Sequence, residues 1–134
     1  MVKPSKNSVD VGLLVHDISK TLYFYKDLLG LALIETMPVR LGTMYRLRFG
    51  TSDFKIIEAK PVPPKGPSGI ESQLGFRYIT FPIQNLAEIS NHLKRNGIEF
   101  ISEKEIRPGV RIALIQDPEG NVIELMERKI DKSL

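Results

Sequence analysis

Four oxygen-bearing side chains stand at repeat-like intervals in this 134-residue chain: Asp10 and Tyr78 lie 68 positions apart, and Glu58 and Glu124 lie 66 apart. Carboxylates and a phenol can accept or donate protons and hydrogen bonds, so two such pairs are a candidate acid–base set. Arg46 and Arg48 alternate along one segment and share a strand face. Paired guanidiniums suit the carboxylate or phosphate of an anionic substrate, and equally a surface or dimer-interface pair. His16 shares a face with Asp10 but lies six residues further on, about 20 Å at strand rise, too far to share a metal. His92 falls in a helical segment, where a solvated face is the default. The absence of cysteine removes disulfides, thiolate nucleophiles and zinc–thiolate sites.

An internal repeat must position these groups. Val11-Gly12-Leu13-Leu14-Val15-His16-Asp17-Ile18 superposes on Ile79-Thr80-Phe81-Pro82-Ile83-Gln84-Asn85-Leu86 with an offset of 68. Each copy reads as a strand running into a helix, with Asp17 and Asn85 as side-chain caps. Leu22, Tyr25, Leu28 and Leu29 then recur at helical spacing in one copy, and Leu86, Ile89 and Leu93 in the other. Gly30 and Gly97 supply the stops. Strands are predicted at 31–40, 45–49 and 54–59, and at 100–101, 110–115 and 122–126, with the opening strand of the second copy at 76–83. Both copies thus read β-α-β-β-β, an α+β architecture.

Strand parity gives every strand one apolar and one mixed face. Val11, Leu13 and Val15 oppose Asp10, Gly12, Leu14 and His16; Phe54, Ile56 and Glu58 share a face; Ile79 and Phe81 oppose Tyr78 and Thr80. The expected organisation is a disordered tail at 1–8, one domain at 9–127 with modules at about 9–60 and 74–127 around a linker at 61–73, and a tail at 128–134. Modules of this size bury too little surface alone, so two should pack together, within one chain or in a homodimer.

Charge and composition narrow the function classes. The tails hold a net four positive charges, which leaves residues 9–127 at −1 of the chain's +3, so no basic face points to nucleic acid. No apolar run approaches the roughly 20 residues of a membrane span, and the first residues do not read as a signal peptide, which together suggest a cytoplasmic protein without membrane partners.

Three stretches resemble the vicinal oxygen chelate superfamily, which includes glyoxalase I, methylmalonyl-CoA epimerase, extradiol dioxygenases and the bleomycin and fosfomycin resistance proteins. They are Val15-His16-Asp17 followed by Phe24-Tyr25-Lys26-Asp27-Leu28-Leu29-Gly30-Leu31; Leu93 to Ile98; and Asp117-Pro118-Glu119-Gly120-Asn121-Val122-Ile123-Glu124-Leu125. The resemblance implies two βαβββ modules whose sheets curl around a cavity, with a divalent metal held by one residue from each of four strands. By position those residues are Asp10, Glu58, Tyr78 and Glu124. Asp10 and Tyr78 depart from the His or Gln usual there, so a bound metal would be Mg²⁺ or Mn²⁺ rather than Zn²⁺, Ni²⁺ or Fe²⁺. Each also has a plainer reading: Asp10 as a surface strand start, Tyr78 as a cavity-lining aromatic or a donor to an oxyanion, Glu58 and Glu124 as solvated carboxylates.

The resemblance implies first a small-molecule enzyme. A cation, or Tyr78 in its place, would stabilise an enolate while Glu124 or Glu58 moves a proton alpha to a carbonyl, as in an epimerase, isomerase or lyase. Arg46 and Arg48 would hold an acidic part of the substrate. The alternative is a metal-free drug- or metabolite-binding protein of the bleomycin-resistance type. A third reading, an extradiol dioxygenase, needs the iron-binding imidazoles that these positions lack.

Overall fold

The first strand, β1 (Val11–Val15), runs into a helix whose entry Asp17 fixes: its carboxylate accepts the Lys20 amide at 3.0 Å and its carbonyl accepts the Thr21 hydroxyl at 2.7 Å. This structure is a computed structural model in which residues 1–129 are described. Helix α1 (Ile18–Leu22) does not keep the regular spacing predicted through Leu29; it widens over Tyr23–Leu28 into i→i+5 turns. A regular helix would point adjacent side chains about 100° apart. The wide turn instead buries both Phe24 and Tyr25, their rings edge to face at 4.9 Å, with Tyr25 meeting Phe54 at 4.6 Å.

Gly30, at φ 81°, ends the turn, and three strands follow: β2 (Ala32–Val39), β3 (Gly42–Phe49) and β4 (Ser52–Ala59). Their sheet has the order β1-β4-β3-β2, with β1 parallel to β4 and the other pairs antiparallel. Gly42 is needed where β3 begins, since a Cβ there would lie 1.9 Å from the Glu58 carbonyl oxygen. Phe54 and Ile56 on β4 and Leu47 on β3 turn to the helix side and are buried, each worth about 1.5–3 kcal/mol of apolar burial.

The second module repeats this order with β5 (Tyr78–Pro82), α2 (Leu86–Arg95), β6 (Phe100–Arg107), β7 (Val110–Gln116) and β8 (Val122–Arg128). Its sheet has the order β5-β8-β7-β6, again with a single parallel pair, β5 with β8. The predicted α+β class with two βαβββ modules is therefore present, as two four-stranded mixed sheets. By backbone proximity the chain divides into two units, Met1–Lys65 and Gly66–Leu134. Of the predicted C-terminal tail, Arg128 closes β8, and residues 130–134 lie outside the described residues.

Two local readings need correction. Asn85 begins α2 without a side-chain cap: its amide donates to Glu88, and the free Leu86 amide is taken instead by the Glu127 carboxylate of β8 at 2.8 Å. Strand β6 is far longer than the two residues predicted, because its exposed Glu103, Lys104, Glu105 and Arg107 hide the apolar alternation. Charge on an edge strand is a common defence against pairing with other chains. No helix among the described residues is long and apolar enough to cross a membrane.

Candidate functional site

In the second module the Asp-Pro-Glu-Gly-Asn motif is a turn that aims β8. Asp117, buried, accepts the Glu119 and Asn121 amides on Oδ1 at 2.9 and 2.8 Å and the Asn121 side-chain amide on Oδ2 at 2.9 Å. Gly120 takes φ 87° at its corner. The strand that leaves this turn pairs Val122 with Tyr78 and Glu124 with Thr80, so these four side chains share the face opposite Ile123 and Leu125. Ile123 and Leu125 are buried. The Thr80 hydroxyl donates to Glu124 Oε1 at 2.8 Å, which fixes the carboxylate and leaves Oε2 for another partner. Leu114 of β7 pairs with Glu124 and Ile112 with Met126, so the β7 side of this carboxylate is apolar. Tyr78 is 55% exposed at the strand's start.

The first module presents a different face. Asp10 lies just before β1, and its Oδ1 accepts both the Lys6 ammonium at 2.7 Å and the Asp53 amide at 2.8 Å. These two hydrogen bonds, that from Lys6 foremost, hold its carboxyl below the usual range. Ser8 donates to the Thr51 carbonyl at 3.1 Å, and Lys6 reaches the same oxygen at 2.9 Å. Arg46 and Arg48 share one face, as predicted, but their guanidiniums close on acidic neighbours. Arg46 pairs with Glu35 and with Asp53, and Arg48 binds Asp53 at 3.0 Å. Burial pushes the Asp53 carboxyl up, but the hydrogen bonds from Arg48 and Arg46 outweigh it and hold the group below its ordinary value. The hydrogen bonds that Arg46 itself donates, that to Glu35 foremost and then that to Asp53, raise its pKa.

The sequence-derived pair Asp10 and Glu58 is split between faces. Glu58 sits opposite Val15 on β1 and Thr43 on β3, in step with Phe54 and Ile56 on the helix side, and its nearest ionic partner is Lys60 at 3.9 Å. The residue opposite Gly12 is Lys55. Since Gly12 corresponds to Thr80 in the repeat, Lys55 is the register counterpart of Glu124. Its signal was present in the chain: Phe54 and Ile56 flank Lys55 as Ile123 and Leu125 flank Glu124. His16 follows β1, and His92 lies on α2.

A divalent cation does not fit the first module's contribution. One oxygen of Asp10 is engaged by an ammonium and an amide, the Lys55 ammonium shares its face, and Glu58 lies on the other side. Among the described residues, no three His, Asp or Glu side chains gather within either module.

The relatives of the chain are consistent with this architecture. The family model described as Glyoxalase/Bleomycin resistance protein/Dioxygenase superfamily matches residues 8–125. No curated relative matches. Among solved structures, a glyoxalase family protein from Enterococcus faecalis has TM-score 0.75 at 21% identity, covering 92% of this chain and 98% of that one. An antibiotic-binding protein, TnmS3 from Streptomyces sp. CB03234, has TM-score 0.72 at 20% identity, over 95% and 100% of the two chains. The fosfomycin resistance protein FosX from Listeria monocytogenes has TM-score 0.71 at 19% identity, over the whole of both. At these identities the likeness is one of fold. Members of the matched superfamily bind small molecules, commonly hold divalent metals and often form dimers. With the family match spanning nearly all of both modules, the chain belongs to the glyoxalase/bleomycin resistance protein/dioxygenase superfamily.

Proposed function

We propose that this chain binds a small organic molecule directly on its side chains, without a divalent metal, in the manner of the superfamily's drug- and metabolite-binding members. The observation that carries this reading is Lys55, a cation at the register position where the second module has Glu124. An ammonium there opposes a metal ion and favours an organic ligand. The antibiotic-binding neighbour supports the same reading. Glu124, steadied by Thr80, offers Oε2 to a donor or a cationic group on the ligand, and the Tyr78 ring offers a flat apolar contact.

A second reading keeps the chemistry and drops the metal. A carboxylate fixed by a hydroxyl, with an apolar strand on its other side, is suited to moving a proton alpha to a carbonyl, with the Tyr78 hydroxyl donating to the enolate oxygen, as an isomerase, epimerase or lyase would require. The superfamily's dimers make a homodimer the expected state in solution.

One experiment separates the readings. Protein is loaded with Mg²⁺, Mn²⁺, Ni²⁺ or Zn²⁺, desalted and analysed for metal, then incubated in deuterated water with 2-oxo acids, acyl thioesters and hydroxyketones. The binding reading expects substoichiometric metal and no deuterium uptake beyond the uncatalysed rate. Exchange that Glu124→Gln abolishes would establish the second reading. Stoichiometric metal lost in the same variant would overturn both in favour of metal-assisted proton transfer.

A further inference from the structure

The first module's charged face balances all but one of its cations. Lys6 is bonded to Asp10, Arg46 to Glu35 and Asp53, and Arg48 to Asp53. Lys55 lies between Gly12 on β1 and Arg46 on β3 and makes no ion pair among the described residues. Asp10 attracts it through space, but Asp10 is already held by Lys6 and the Asp53 amide. Lys55 as a residue is half-buried, and its ammonium is left free to take an anionic partner from outside the chain.

The space beside it is open. A Cβ built on Gly12 would meet nothing within 4 Å, so the residue opposite Lys55 leaves a notch in the face. One wall of that notch is apolar. Leu14, two residues along β1, pairs with Ile57, two along β4, and Leu14 is 42% exposed. A charge, a gap and an apolar wall on two adjacent strands match a molecule with an acidic group on an apolar body.

We propose that Lys55 and the Gly12 notch form a binding site for the acidic group of an organic anion, with the apolar part of that ligand on Leu14 and Ile57. The site deepens the metal-free binding reading and rests on it. It assigns to Lys55 the anion-binding role that Arg46 and Arg48 cannot serve while Glu35 and Asp53 engage them. The ligand is an aryl or alkyl carboxylate, sulfonate or phosphate; an inorganic anion alone would miss the apolar wall.

The test uses two fluorescent probes with one apolar body: 1-anilinonaphthalene-8-sulfonate and its uncharged parent, N-phenyl-1-naphthylamine. The full chain should bind the sulfonate more tightly than the parent, and added salt should narrow the difference. Lys55→Met should weaken the sulfonate about tenfold, the scale of one charge-assisted hydrogen bond, and leave the parent unchanged. Lys55→Arg should restore most of it. Gly12→Val, which fills the notch and keeps the charge, should weaken both probes and gives an independent variant if Lys55→Met folds poorly. Equal losses of both probes in Lys55→Met, no loss of either, or no sulfonate binding by the unmodified chain would each overturn the proposal. Stoichiometric metal in the loading experiment would instead overturn the metal-free reading, a failure that these probe affinities do not produce.

Discussion

The two modules share an order of elements and differ in what they display. Both place a parallel pair beside two antiparallel strands and bury an apolar row against a helix. On the opposite face the first carries Arg46, Arg48, Asp53 and Lys55, whereas the second carries Tyr78, Thr80, Leu114 and Glu124. The helix side is constrained by packing, where the loss of a single methylene is felt. The other side is free to change sign or polarity without disturbing the fold. One scaffold used twice has therefore produced an ionic lattice in one copy and a carboxylate held by a hydroxyl beside Leu114 in the other.

The largest effect expected is in the packing that the modules have in common. Tyr25→Ala removes a fully buried ring that meets both Phe24 and Phe54, and should cost the first module about 3–5 kcal/mol in urea unfolding. Loss of signal from second-module core amides such as Ile115 and Ile123 in step with those of Leu47 and Ile56 would show that the two do not unfold independently.

Acid should separate the modules more gently. Asp10 and Asp53 have folded-state pKa values below their unfolded ones, so the stability they contribute is present above the unfolded value of about 3.9 and is lost as pH falls through the folded values. Below about pH 4 the amides of β3 and β4 should lose protection before those of β7 and β8, followed by two-dimensional NMR during acid titration. Uniform loss in both sheets would mean that the ionic lattice contributes little.

The helix entries should show the smallest effects. Asp17→Ala removes a side-chain cap and should cost about 1 kcal/mol. Asn85→Ala, at the equivalent position, should change stability by less than about 0.5 kcal/mol, because Glu127 serves the Leu86 amide. Thermal unfolding of the two variants side by side measures this asymmetry.

Much of this fold is legible in the residues themselves. The offset of 68 between Val11-Gly12-Leu13-Leu14-Val15 and its copy locates both parallel strands, and Asp17, Gly30 and Gly97 mark helix ends through local chemistry. What local chemistry cannot supply is a partner distant in sequence: nothing beside Asn85 announces that Glu127 will cap its helix. Nor does spacing along one strand fix which residue faces which across two. Glu58 looks like the counterpart of Glu124 when strand ends are aligned, but the alternation of Phe54 and Ile56 selects Lys55. Arg46 and Arg48 were readable as a shared face, whereas their saturation by Glu35 and Asp53 depends on a hairpin register with a bulge between Leu33 and Glu35.

The parallel pairs also set the order in which the chain can assemble. Val11 meets Phe54 across 43 residues and Tyr78 meets Val122 across 44, while the antiparallel neighbours in each module close over short turns. Short loops close at small entropic cost and long ones later, so the three-stranded meander of each module should form first and its opening strand should dock last. During synthesis β1 leaves the ribosome before every element it must join, and waits unpaired until β4 has emerged.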